Sequence, residues 1–221
     1  MKKLNLSDIV CILAAIFILF MTMLSATSTT RTAYKLWTGV LCSFFCLIPL
    51  FFRHARIMDL PLILVAMIDI TIIIHAYGVL LIFYDDITWY DTITHLAASM
   101  TVSLLIFFSL IAVEEFDHMT RFGPRWAPLV VALIMTTFSL WWEVLEFFVD
   151  SATGINMQYS PWDTMRDLAC NEIGTIVVAV ALHFYLKTHS IEGFIDRLQL
   201  SPSLKRVVSR KPKEKKRAHA D

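Results

Sequence analysis

Six stretches of mostly apolar residues, near 9–26, 34–52, 60–83, 92–113, 127–149 and 168–187, limit what this chain can fold into. Each is close to the roughly 20 residues a helix needs to cross a hydrocarbon core. Inside a bilayer every backbone N–H and C=O must be satisfied within the protein, and a helix does so within a single segment. Hydrophobic residues make up 57% of the chain and charged residues only 17%, more apolar surface than a soluble domain hides. The expectation is an all-α polytopic membrane protein. Residues 1–189 form a bundle of six transmembrane helices, and residues 190–221 form a cytoplasmic amphipathic segment and basic tail.

The first run follows "MKKLNLSD". It exceeds the roughly 7–15 residues of a signal-peptide core and ends without a small-x-small cleavage site, so it reads as a retained helix. Cys11, Cys42, Cys46 and Cys170 fall in or beside apolar runs and read as small buried hydrophobes, not as a disulfide framework or zinc site. Pro49 near the end of the second run is expected to kink it.

Lys and Arg set the orientation. With a cytoplasmic N-terminus, the inner side holds Lys2, Lys3, Arg53, Arg56, Arg121, Arg125 and every basic residue from Lys187 onward. The outer side keeps Arg31, Lys35 and Arg166. The 19 basic and 19 acidic residues thus balance overall but separate across the membrane. Past the last run, Ile191, Phe194, Ile195 and Leu198 share one face of a segment suited to the inner membrane surface. The basic tail beyond Pro202 fits anionic lipid headgroups better than nucleic acid.

The polar residues of the last three runs gather on one side. "WWEVLEFFVD", residues 141–150, puts Glu143, Glu146 and Asp150 on one helical stripe that Ser139 continues inward. Such acids stand near a helix C-terminus, where the dipole repels anions, and they repel one another. Carboxylates at membrane depth are expensive and mark functional cavities. They must be protonated, paired with Arg166 or His95, or bound to a metal ion. "WYDTITHLAAS" aligns Asp91, His95 and Ser99, and "SPWDTMRDLACNEIG" aligns Asp163, Asp167, Asn171 and Gly174. Taken singly, Asp91, Asp163 and Asp167 suit helix N-termini, and "SPWD" has the order of an N-cap, a first-turn proline and an acid. His95 alone would pass for a core histidine, and Asn171 and Ser99 for ordinary interhelical hydrogen-bonders. Together they suggest an acidic pocket open to the outer face.

At these residues the sequence resembles the VanZ-like family, and more closely the YjdF-type bacterial inner-membrane proteins. The resemblance rests on Asp91 with His95, on the helix carrying Trp142, Glu143 and Glu146, and on "WDTMRDLACNEIG". It implies a multi-pass protein of the bacterial cytoplasmic membrane, and VanZ-like proteins are linked with glycopeptide resistance.

Carboxylates, an amide oxygen and one imidazole suit a divalent ion such as Mg²⁺, Mn²⁺ or Zn²⁺. The expected ligands are His95, Glu146, Asp150, Asp167 and Asn171, with Glu143 as general base and His95 also catalytic. Asp91, Asp163, Arg166, His75 and Ser139 would stand behind them. The leading reading is a pocket acting on a lipid-linked or cell-envelope substrate, with membrane lipids as neighbours. A cation- or proton-coupled transporter, with Asp69 in the third run as proton relay, is the alternative, and a scaffold binding a partner through its acidic face is the third.

Overall fold

The computed structural model describes residues 3–27, 32–116 and 123–188. These residues are all helical or in short connections, with no strand among them. Helix α1, Leu6–Ser25, starts on a reciprocal cap: Asp8 N–H donates to Asn5 Oδ1 (2.9 Å) and Asn5 N–H to Asp8 Oδ2 (3.0 Å). Helix α2 covers Thr32–Cys46 and α3 covers Ile48–His54. The expected kink near Pro49 is a full interruption at Leu47. Proline has no N–H for the preceding turn, and its ring crowds the carbonyl four residues back. α4 (Leu62–Leu80) leads into a single turn, α5 (Phe83–Asp86). The last three helices are long: α6 (Tyr90–Phe116), α7 (Gly123–Thr153) and α8 (Pro161–Thr188).

Six spans among the described residues are long and apolar enough to cross a membrane, with α2 and α3 jointly forming the second. Their order agrees with the sequence reading, but several boundaries moved, and two of the shifts have a clear cause. The third span stops at Leu80 because Ile82 turns into the left-handed region at φ 63°. The sixth starts at Pro161 instead of 168, because its first two turns carry the polar Asp163 and Asp167, which a search for apolar runs passes over.

The spans form two groups. α1, α2 and α4 pack together, α6, α7 and α8 pack together, and α4 against α6 joins them. Ala15, Ile18, Cys46 and Leu80 belong to the core of the first group, and Phe107, Val131, Met135 and Val178 to that of the second. Glycine permits the closest approaches. A β-carbon on Gly174 would stand 2.1 Å from Ser99 Oγ, so α8 lies against α6 there. Gly39 similarly admits the side chain of Thr22 between α2 and α1. The four cysteines are buried and free, as expected.

The end carrying the start of α6 and α8 and the end of α7 is the site end. At the opposite end the buried Asp8 pairs with Arg53 and with His54 (3.2 Å), and Arg53 reaches Asp59 (3.3 Å). The segment 190–221, with its amphipathic face and basic tail, lies outside the described residues.

Candidate functional site

Three helices converge at the site end. Asp91 and His95, four residues apart, share a face of α6, while Asp163, Asp167 and Asn171 follow one stripe of α8. Ser139, Glu143 and Glu146 come from α7. Every one of these except Asp91 is buried. His95 Nε2 lies 3.3 Å from Asp91 Oδ1 and 3.9 Å from Asp167 Oδ2. One ligand-type atom from each of Asp91, His95 and Asp167 falls within 4.8 Å of the other two.

The other face of the imidazole is held from α8 and α7. Asn171 Nδ2 is 3.2 Å from His95 Nδ1 and donates to Ser139 Oγ at 2.7 Å. Arg166 forms the rim. It pairs with Asp163 and reaches Asp91 at 3.6 Å and Asp167 at 3.7 Å. Asp163 also accepts from the N–H of Tyr159 (3.3 Å), and its own N–H donates to Ser160 Oγ (3.2 Å). Its capping role and its place beside Arg166 therefore coexist.

Glu143 is 4% exposed, and neither carboxyl oxygen has a hydrogen-bond partner. Thr164 Oγ1 and Asp167 Oδ1 are likewise buried without a hydrogen bond. Glu143 has Thr164, His95 and Gln158 among its neighbours. A buried polar atom left unbonded costs about 1–3 kcal/mol, so this concentration points to a site built to hold something polar.

The clustered residues differ from the expected ligand set. Asp150 does not join the group: its oxygens take the N–H groups of Met157 (2.8 and 2.9 Å) and Gln158 (2.8 Å), which ties down the loop after α7. Glu146 lies near His95, but its Oε1 accepts from Trp142 Nε1 at 2.8 Å, and it is not one of the three clustered residues. Asn171 orients the histidine instead of adding to that cluster. Asp91, expected behind the ligands, is one of the three residues that could hold a metal, because the first turn of α6 faces the first turns of α8. Ser139 accepts from Asn171, and Arg166 lies against Asp91.

His75 flanks the site. Its Nδ1 is 2.8 Å from Tyr84 Oη, and its ring meets the edge of Trp142 at 6.3 Å. Burial raises the pKa of the Tyr84 phenol, which keeps it a neutral hydrogen-bonding partner. Asp69 is elsewhere: only 2% exposed and without a hydrogen bond to either oxygen, it sits beside Cys11 and Cys46 among α1, α2 and α4. Trp141 turns outward, 63% exposed.

Sequence reasoning missed several participants. The Trp142–Glu146 bond follows an i, i+4 spacing that was legible. Thr164, one turn before Asp167, gave no sign beyond its position. The loop 154–160 carries Gln158, whose Nε2 reaches the Glu143 carbonyl at 3.4 Å, and Tyr159, whose hydroxyl donates to Asp85 Oδ1 at 3.0 Å. Loop contacts of this kind leave no periodic trace.

No curated protein and no solved structure matches the chain. The family described as Predicted membrane protein (DUF2238) matches residues 9–188, which takes in the last five spans whole, all but the first three residues of the first, and every residue of the site. The chain belongs to this family of predicted membrane proteins.

Proposed function

We propose that the site end binds a divalent cation at Asp91, His95 and Asp167 and uses it to activate water against a lipid-linked or cell-envelope substrate. The observation that carries this reading is the group itself. Three ligand-type atoms from two helices lie within 4.8 Å, and the bare carboxyl of Glu143 is buried near His95. Two carboxylates and one imidazole balance a divalent charge and suit Mn²⁺ or Zn²⁺, with Mg²⁺ less favoured by the nitrogen ligand. Glu143 is placed to act as general base on a water held there.

Asn171 supports the same reading. A histidine that coordinates through Nε2 carries its proton on Nδ1 and needs an acceptor there. Turning the Asn171 amide over presents Oδ1 to Nδ1–H, and the Ser139 hydroxyl then donates where it had accepted. The trio Ser139–Asn171–His95 can therefore serve both protonation patterns without moving a helix.

The test is metal binding by the purified protein. After equilibration with Mn²⁺ or Zn²⁺ and removal of excess, about one tightly held ion per chain is expected on the ligand stoichiometry of a mononuclear site. His95→Ala and Asp167→Asn should lose it while remaining folded. Equal retention by folded forms of both variants would sink the proposal.

A proton-coupled transporter is the second reading, favoured by Asp69, a carboxyl buried in α4 with neither oxygen hydrogen-bonded. Proton uptake into inverted vesicles that disappears in Asp69→Asn would support it over hydrolysis. In either case we place the site end outward from a bacterial cytoplasm, with both termini inside. Lys3, Arg53 and Arg56 at the opposite end, against Lys35 and Arg166 at the site end, support that orientation. The residues shared with VanZ-like proteins support a distant kinship and a cell-envelope setting.

A further inference from the structure

Glu172 lies outside both the site and the ion pairs at the opposite end of the bundle. It follows Asn171 directly, so the two side chains leave α8 about 100° apart. Asn171 turns inward to His95 and Ser139, while Glu172 is half-exposed on the outer surface of the α7–α8 pair, beside the exposed Ile173 and Ile176. Its depth makes that position costly. Trp162 and Tyr185, both exposed, mark the two ends of the sixth span, as aromatic residues do at membrane interfaces. Glu172 is ten residues from one and thirteen from the other, roughly 15 and 20 Å along the helix axis. It therefore sits deep within a hydrocarbon core of about 30 Å, where an ionisable group facing lipid is expensive.

Its own chain compensates it poorly. Among the described residues no ion pair reaches Glu172, and its hydrogen-bond partner is Thr136 of α7, whose Oγ1 donates to Glu172 Oε1 at 2.6 Å. The same hydroxyl stands 3.0 Å from the Ala132 carbonyl, so its single proton is divided between two acceptors. The stripe around Glu172 has the spacing of a helix seam. Met165, Ala169, Glu172, Ile176, Ala179 and His183 recur at alternating intervals of four and three, and all are exposed or half-exposed. That is the repeat by which two parallel helices pack side by side. Alanine on either side of Glu172 lets a neighbouring backbone come close, and a single polar residue in such a seam fixes register and partner number.

We infer that α8 pairs with α8 of a second copy of this chain, with the two Glu172 carboxyls facing each other at a twofold axis along the membrane normal. Copies inserted in the same orientation are related by such an axis, and a residue beside it meets its own counterpart. A carboxyl group that holds its proton offers a donor and an acceptor, so it is complementary to itself. Among the described residues the lysines and arginines stand at the span ends, so a second copy meets Glu172 by hydrogen bonding and not by an ion pair. The seam also backs onto the site. Thr136 with Glu172 and Ser139 with Asn171 form two rungs between α7 and α8, and pairing at the outer rung steadies the inner one, which holds His95. The pairing does not depend on what the site binds.

The test places the full chain, labelled with donor or acceptor fluorophores at its C-terminus, in phosphatidylcholine liposomes and dilutes it with lipid. Wild type should show energy transfer that fits a dimer. Glu172→Leu, which suits a lipid-facing position, should associate about 5–30-fold more weakly, the range for losing an interhelical polar contact. Glu172→Gln both donates and accepts and should stay close to wild type. Wild type that is monomeric at every dilution would give the stripe to a different partner and overturn the pairing. Glu172→Leu associating as wild type does would overturn it too. Should Glu172→Leu fail to fold, Ala179→Phe, which props the seam apart, replaces it, and undiminished association there counts against the seam. Oxidative cross-linking, with the native cysteines replaced, gives a second measurement. Ile176→Cys should form a disulfide-linked dimer, whereas Ile16→Cys, comparably exposed on α1, should not. No cross-link at Ile176→Cys, or an equal one at Ile16→Cys, would remove the interface from α8.

Discussion

Asn171 Nδ2 stands 3.2 Å from His95 Nδ1, so one amide on α8 governs which way the imidazole of α6 can carry its proton. Removing that amide should loosen the histidine without touching a ligand atom. Asn171→Leu is expected to weaken divalent-cation affinity about 10–100-fold, the usual effect of losing a partner behind a metal-binding histidine. Asn171→Asp keeps an acceptor for Nδ1–H and should retain most of the affinity. Titration of both variants with Zn²⁺ checks this, and wild-type isotherms for both would remove the amide from the account.

Asp150 and Glu143 lie two turns apart on α7 but are assigned different work, and substitution separates them. Asp150→Ala strips the N–H groups of Met157 and Gln158 of a charged acceptor. A loss of about 1.5–3 kcal/mol in stability is expected, with cation stoichiometry unchanged. Metal analysis beside a melting curve decides it. Loss of the ion from a folded Asp150→Ala would restore Asp150 as a ligand.

The packing of α8 on α6 is testable at Gly174. A β-carbon there meets Ser99 Oγ at 2.1 Å and the Leu96 carbonyl at 3.0 Å. Gly174→Ala should cost about 1–3 kcal/mol as an overpacked contact. Adding Ser99→Ala removes the nearer clash and should recover part of that loss, a coupling the double-mutant cycle would report. Strict additivity would mean that the two helices do not meet as described.

Orientation can be settled by labelling. Asp86, exposed on the turn α5, is at the site end. With the four native cysteines replaced, Asp86→Cys should react with a membrane-impermeant maleimide in intact cells. Reaction only after permeabilisation would place the acidic site on the cytoplasmic face.

The spans were legible because their signal is local: about twenty apolar residues announce a helix whatever surrounds them. The stripe of Glu143, Glu146 and Ser139 was legible for the same reason, since helical spacing alone puts them on one face and the cost of exposing acids to lipid turns that face inward. Which acid touches which partner was not. Asp150 lies on the same stripe, yet a backward fold of seven residues hands its oxygens to Met157 and Gln158. Asp91 looked like a helix cap until the relative height of α6 and α8, set by contacts such as Gly174 on Ser99, brought it level with Asp167.

The loop across the site end is fastened at three points: Asp150 to Met157 and Gln158, Gln158 to the Glu143 carbonyl, and Tyr159 to Asp85. Each fastening is worth on the order of 1 kcal/mol net, more where a carboxylate accepts. A strap held this way is shut in nearly every molecule at any instant, yet a gap of a few kcal/mol leaves an open form populated at roughly 0.1–10%. Loop motions of this size take nanoseconds to microseconds, far faster than most catalytic turnovers. The loop beside the acidic cluster can thus stay fastened on average and still open far more often than its mean state suggests.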